Sequence, residues 1–259
     1  MSRLVDKLKS LREATPQPLG FTAFTPSPEK PRLQLIAAVT ADNLERLSSR
    51  PGSVDAVLVE VAKSDDVDGL EKVCQVKDGV PGGAWIKAAN GGVLKKVLNA
   101  ACDFAVFGPG ASLAVTQKDR LGRVLEIDVS ISEGLMRTAA DLPVDAVLAA
   151  GAGEEKTLTL NWMMLIQRLV YLVGKPVLVP VPPGINGADL QALWDMGIGG
   201  VIVEVADDKS ADKLSDIKKL IEKLNPPALR KKKAAPILPR LQAEAPAPLE
   251  EEGGGEEDE

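Results

Sequence analysis

Between Leu33 and Leu224 the chain repeats one pattern. A short, unbroken apolar run is followed by a stretch in which apolar positions recur every three or four residues. The runs are LQLIAAV (33–39), VDAVLVEV (54–61), AWIK (84–87), DFAVFG (103–108), RVLEIDV (123–129), VDAVLAA (144–150), PVLVPV (176–181) and GVIVEV (200–205). Such runs belong to strands buried on both faces, as in a parallel sheet covered by helices. Helical spacing follows them at 42–50, 66–76, 91–101, just after Ser112, and at 132–141, 159–173, 186–196 and 210–224. Eight strand–helix units in succession predict an α/β protein, a closed (β/α)8 TIM barrel. An open doubly wound sheet is the alternative, but the first strand lacks the glycine-rich turn of a dinucleotide fold.

The units also echo one another. RLQLIAAVTADNLERL (32–47) aligns with RVLEIDVSISEGLMRT (123–138), matching Arg32 with Arg123, Ile36 with Ile127, Leu44 with Leu135 and Arg46 with Arg137. VDAVL occurs at 54–58 and again at 144–148, and residues 88–108 align without gaps on 184–204. An offset of this kind predicts a two-fold half-barrel repeat, four units in each half. The competing explanation is that similar strands produce similar strings.

Three parts follow: residues 1–32, 33–224 and 225–259. In the first, Leu4, Leu8 and Leu11 form the stripe of an N-terminal helix, expected to cap the barrel floor, or else to pack on a partner. A proline-dotted connector leads from it to the barrel. The last part, from Asn225, combines prolines, the basic cluster Arg230–Lys233 and a glutamate-rich end, the composition of a disordered tail.

Composition narrows the chemistry. The 259 residues contain no histidine, which removes Ser-His-Asp and Cys-His catalysis and most zinc or non-haem iron sites. Cys74 and Cys102 form no CxxC motif and read as small core residues rather than a disulfide framework. A net charge of −6 and 3% aromatic residues argue against a nucleic-acid partner. The most apolar segment, 158–173, is broken by Asn161, Gln167 and Arg168 and falls short of a membrane span. The N-terminal MSRLVDKLKSLRE holds no apolar signal core. A cytoplasmic protein without a membrane partner is the expectation.

In a barrel, chemistry gathers where strands end and βα loops begin. Those positions hold Thr40 and Asp42, Glu60, Lys87 and Asn90, Asp128 and Ser130, and Glu204. Ionised groups there are costly unless paired or hydrated. Glu60, Lys87, Asp128 and Glu204 are therefore the candidate catalytic set: carboxylates as bases or Mg2+ ligands, and Lys87 as electrostatic stabiliser or amine nucleophile. The simpler alternative is that Lys87 neutralises Glu60 or Asp128. In FGPGAS (107–112), Gly108, Gly110 and Ser112 are candidate anion ligands, or a Gly-Pro turn with Ser112 as helix cap. Asp42, Asn90 and Asn186 fit helix caps. No cofactor is assigned by any motif.

GINGADLQALWDMGIGGVIVEVA (184–206) resembles the seventh and eighth units of phosphate-binding TIM barrels. These include the sugar isomerases of histidine biosynthesis and flavin-dependent barrels such as IMP dehydrogenase and nitronate monooxygenase. The half-barrel repeat resembles the first of these groups. The resemblance implies a phosphate held by glycines after strands seven and eight. Gly184 matches the first position; the second holds Glu204, whose carboxylate repels phosphate, and its aligned counterpart in the other half is Gly108. The histidines, catalytic cysteine and acid pairs of those enzymes have no counterparts here. The expectation is a barrel that binds a small metabolite, phosphorylated or not, at its C-terminal face. The alternative is a non-catalytic scaffold acting through helix 159–173, with Trp162, Met163 and Met164 as an adhesive patch or homodimer face, and through its charged tail.

Overall fold

The computed structural model describes residues 2–13, 32–48, 52–63, 66–74, 80–87, 91–117, 120–151 and 158–225. The connector, the basic and acidic tail and Asn90 lie outside these residues. Eight strands, β1 (Gln34–Thr40), β2 (Ala56–Val61), β3 (Gly82–Ile86), β4 (Phe104–Phe107), β5 (Gly122–Asp128), β6 (Ala146–Ala150), β7 (Val177–Val181) and β8 (Gly200–Glu204), pair in chain order. All pairings are parallel, and β1 closes the ring on β8. This is the closed (β/α)8 barrel that the apolar runs predict.

The helices follow the expected order with local differences. They are α1 (Arg3–Glu13), α2 (Glu45–Ser48), α3 (Asp66–Cys74), α4 (Gly91–Asn99), α5 (Glu133–Asp141), α6 (Leu160–Val173), α7 (Gly187–Asp195) and α8 (Asp208–Glu222). After β1 the predicted helix splits into a 3-10 turn, Ala41–Asn43, and the short α2. Asp42 therefore lies inside the turn and does not cap a helix. After β4 the connection is only a 3-10 segment, Leu113–Gln117. Asn186 does cap α7, its side chain accepting the Asp189 N–H at 2.8 Å. Helix α6 has both ends defined: the Thr159 hydroxyl accepts the Trp162 N–H, and Gly174 stops the helix at φ +62°.

Strand residues two apart share a face, so the sheet sorts its side chains into two cores. Ile36, Ala38, Ala56, Leu58, Phe104, Val106, Val124, Ala146, Leu148, Leu178 and Ile202 fill the inside of the barrel. Their alternates pack outward against the helices. Inside, one large ring is matched to one missing side chain. A Cβ at Gly83 would lie 2.4 Å from the fully buried Phe104 ring, so that strand position must be glycine.

The floor is closed by α1. Leu4 and Leu8 are fully buried and belong to the inner core, and Leu11 packs beside them. The helix is tethered by Asp103 at the foot of β4, which accepts the Ser2 hydroxyl at 2.7 Å and the Arg3 and Leu4 N–H groups at 2.8 and 3.0 Å. A residue about a hundred positions away thus satisfies the open N–H groups of the helix start. The VDAVL recurrence has a local cause of the same kind. In both copies the aspartate accepts a backbone N–H of the preceding strand: Asp55 that of Leu35 at 2.9 Å, Asp145 that of Arg123 at 3.1 Å. Each also donates its own N–H back to the same residue's carbonyl. A cation completes each foot, Lys218 on Asp55 and Arg123 with Lys9 on Asp145. Burial opposes ionisation of Asp145, but the hydrogen bonds and charge of Arg123, helped by Lys9, hold its carboxyl below the ordinary range.

Candidate functional site at the barrel mouth

The inside-facing parity of each strand continues past the apolar core to the C-terminal rim. Glu60 lies two residues beyond Leu58, Glu126 and Asp128 two and four beyond Val124, and Glu204 two beyond Ile202. Lys87 follows Trp85, which packs on the inner core, by the same step. In register, Glu60 pairs with Thr40 and with Trp85, and Glu204 pairs with Ala38. The candidate charges thus all rise from the inner face of the barrel.

The structure joins three of these side chains, two of which sequence reasoning did not single out. The Trp85 indole N–H donates to Glu126 Oε2 at 2.8 Å. Lys87 Nζ stands 3.7 Å from Glu126 Oε1 and 3.4 Å from the centroid of the Trp85 ring. Glu126 therefore holds the indole with one oxygen and faces the ammonium with the other. The lysine rests on the electron-rich face of that same indole, a contact worth about 0.5–2 kcal/mol depending on desolvation. So the partner of Lys87 is Glu126, rather than Glu60 or Asp128. The alternation in RVLEIDV carried the missing signal: Val124, Glu126 and Asp128 share a face, and the inward carboxylate nearest the core is Glu126.

The remaining acids are differently placed. Glu60 is half-buried, and among the described residues neither its carboxylate nor that of the exposed Glu204 makes a hydrogen bond or ion pair. Asp128 is exposed and accepts the Ser130 N–H at 2.8 Å. Backbone and side-chain hydrogen bonds from Ser130 outweigh burial and hold its carboxyl below the ordinary range, so it is an anion at neutral pH. Among the described residues, no three His, Cys, Asp or Glu side chains converge as a metal site.

The loops at the rim differ in how their polar groups are used. In FGPGAS, the Ala111 N–H turns back to the Gly108 carbonyl at 3.1 Å, and the Ser112 hydroxyl accepts the Ala114 N–H at 3.4 Å. A Cβ at Gly108 or Gly110 would meet no protein atom within 4 Å, so both glycines leave open space. Gly184, in the exposed β7–α7 loop, has a cation close by: a Cβ there would stand 3.8 Å from Lys213 Nζ. The start of α8 is already occupied. Asp207 accepts the Ser210 N–H at 2.7 Å in a reciprocal capping box, and the Ser210 hydrogen bonds hold its carboxyl below the ordinary range. An internal carboxylate thus takes the place that a bound anion would take at that helix end. With Glu204 at the strand end, the eighth unit presents two carboxylates at its C-terminal side.

Helix α6 carries a second apolar face. Trp162, Ile166, Leu169 and Val173 are buried against the barrel. On the opposite side Leu160, Met164 and Tyr171 are 81%, 71% and 73% exposed. At about 100° per residue these three fall within about 40° of one another. Of the three residues expected as an adhesive patch, Trp162 is buried and Met163 partly so, leaving Met164 exposed. No helix among the described residues is long and apolar enough to cross a membrane.

No family model matches the sequence, and no curated protein matches it. Solved structures do. KGPDC from Streptococcus mutans aligns at 13% identity and a TM-score of 0.59, covering 74% of this chain and 99% of that one. Thiamine phosphate pyrophosphorylase from Pyrococcus furiosus aligns at 14% and 0.55, covering 73% and 96%. A mutant tryptophan synthase alpha-subunit from the same hyperthermophile aligns at 14% and 0.55, covering 74% and 97%. At such identities the likeness is one of fold: this chain is a TIM barrel, and its N-terminal helix plugs the barrel floor.

Proposed function

We propose that the chain binds a small, hydroxyl-rich metabolite at the C-terminal mouth of the barrel, between Lys87 and the inward carboxylates. The observation that carries this reading is the Trp85–Glu126–Lys87 cluster beside an unengaged, half-buried Glu60. Folding has spent no partner on Glu60, and a hydrogen-bond donor from a ligand would satisfy it. Four carboxylates, Glu60, Glu126, Asp128 and Glu204, rise with Lys87 from the inner face of the barrel. That balance favours ligand hydroxyl or amine donors at the rim. In this reading Lys87 offsets negative charge on the ligand and Glu60 accepts a proton or hydrogen bond. Asp128 and Glu204 bind hydroxyl groups. A phosphate, if the ligand carries one, sits at the Gly184–Lys213 side or on Gly108, Gly110 and Ser112, away from Glu204. One of the similar structures is named for a phosphate ester, which fits that division.

The test is native against denaturing mass spectrometry of the purified protein, followed by thermal-shift titration with polyols, sugars and their phosphates. A ligand lost on Lys87→Ala and on Glu60→Gln supports the reading. A ligand retained by both variants, or no ligand among those classes, sinks it.

A second reading rests on α6. Its outer stripe of Leu160, Met164 and Tyr171 suits a homodimer face. Sedimentation of the wild type and of a Met164→Lys, Tyr171→Lys variant decides this: a dimer that the variant converts to monomer supports it, and a monomeric wild type overturns it.

A further inference from the structure

Cys74 and Cys102 do not stand apart. Cys74 is the last residue of α3, and Cys102 lies between α4 and the foot of β4. Folding brings their sulfur atoms to 2.9 Å, each half-buried, and they are held as thiols with no disulfide between them. A disulfide requires about 2.05 Å between sulfurs, so bond formation asks the two sulfurs to approach by less than about 1 Å from their contact at 2.9 Å. Both residues also pack on the outer core, which fixes their mutual position and satisfies the expectation that they are core-forming.

We propose that Cys74 and Cys102 form a redox-active dithiol, which a small disulfide oxidant such as glutathione disulfide converts to an intramolecular disulfide. The thiolate of one cysteine attacks a sulfur of the oxidant, forming a mixed disulfide and expelling one glutathione thiolate. The second cysteine loses its proton, attacks the bonded protein sulfur and expels the other glutathione. Two electrons pass to the oxidant, and the two cysteine protons end on two glutathione thiols. Proximity makes the second step dominate, because the resolving sulfur stands at contact distance and no diffusing thiol competes with it. The loop so closed contains β3 and α4, and with β3 the two mouth residues Trp85 and Lys87. Oxidation therefore staples the unit that presents part of the mouth, without touching the mouth itself. The inference is independent of what the mouth binds.

The full chain, incubated with excess glutathione disulfide, is read by denaturing mass spectrometry without reductant and by thiol titration. The expected result is a monomer lighter by about 2 Da with no titratable thiol, reverting on addition of dithiothreitol. Its melting midpoint rises by about 5 °C or more over the reduced form, as expected for closing a loop of this length. Cys102→Ser and Cys74→Ser each retain one glutathione adduct, because the resolving thiol is gone. Two adducts on the wild type, a chain that keeps its thiols, or a disulfide-linked dimer would each overturn the proposal. Because the wild-type readings alone decide it, a variant that folds poorly does not shield it.

Discussion

Asp103 is where the N-terminal helix is held, and replacing it tests how the barrel floor is closed. Its carboxylate, 10% exposed, accepts the Ser2 hydroxyl and the Arg3 and Leu4 N–H groups. In Asp103→Ala these donors lose their acceptor at a helix start whose N–H groups have no intrahelical alternative. Hydrogen bonds to a charged group are worth about 1.5–3 kcal/mol each, and a lost cap alone about 0.5–2 kcal/mol. Water entering the vacated space recovers part of that, and the Arg3 contact at 3.8 Å, with Arg3 57% exposed, adds little. The expected loss is about 2 kcal/mol, or about 4–8 °C in melting midpoint for a chain of this size. Helix α1 should not leave the barrel altogether, because burial of Leu4 and Leu8 is worth about 1.5–3 kcal/mol each. Hydrogen exchange supplies the sharper reading: amides of α1 should gain more in exchange rate in Asp103→Ala than those of the strands. Asp103→Asn, which keeps one acceptor oxygen, should fall between. A variant that melts within 1 °C of the wild type with unchanged α1 exchange would refute the tether, and leave the fastening to the buried leucines and the Lys9–Asp145 pair.

Gly83→Ala should destabilise by about 1–3 kcal/mol in urea unfolding, since its Cβ meets the Phe104 ring; pairing it with Phe104→Leu should restore part of the loss, and no rescue would count against the packing argument. Glu126→Ala should cost about 1–2 kcal/mol by removing the indole acceptor. It should also change the fluorescence of Trp85, a change absent in a Trp85→Phe background; overlapping spectra would deny the contact. The pH dependence follows from Asp145, whose carboxyl the Arg123 guanidinium and Lys9 hold below the ordinary carboxylate range against the opposing effect of burial. A lowered folded-state value means that the unfolded chain takes up the proton first. Its contribution is thus complete above the unfolded value and is lost as pH falls through the folded one. The melting difference between wild type and Asp145→Asn should hold steady at neutral pH and shrink below about pH 4. A difference independent of pH would remove the charge from the account.

The order of strands and helices was legible because each strand is buried on both faces and each helix on one, and those two patterns differ in period. Burial is a property that a residue's own chemistry announces. The rim charges were legible for the same reason, since Glu60, Lys87, Asp128 and Glu204 interrupt apolar runs where strands end. Their pairing was not legible. Glu126 reads as one more polar residue in RVLEIDV until β3 and β5 curve toward each other across the barrel. Only that closure sets its carboxylate between Trp85 and Lys87. The tether of α1 is similar: the leucine stripe shows a helix, while the acceptor for its free N–H groups comes from Asp103 at the foot of β4. Cys74 and Cys102 are ordinary core thiols in sequence and neighbours only after folding. Periodicity is encoded locally and survives in a linear reading. Partnership between side chains depends on ring closure and strand register, which the whole set of contacts determines together.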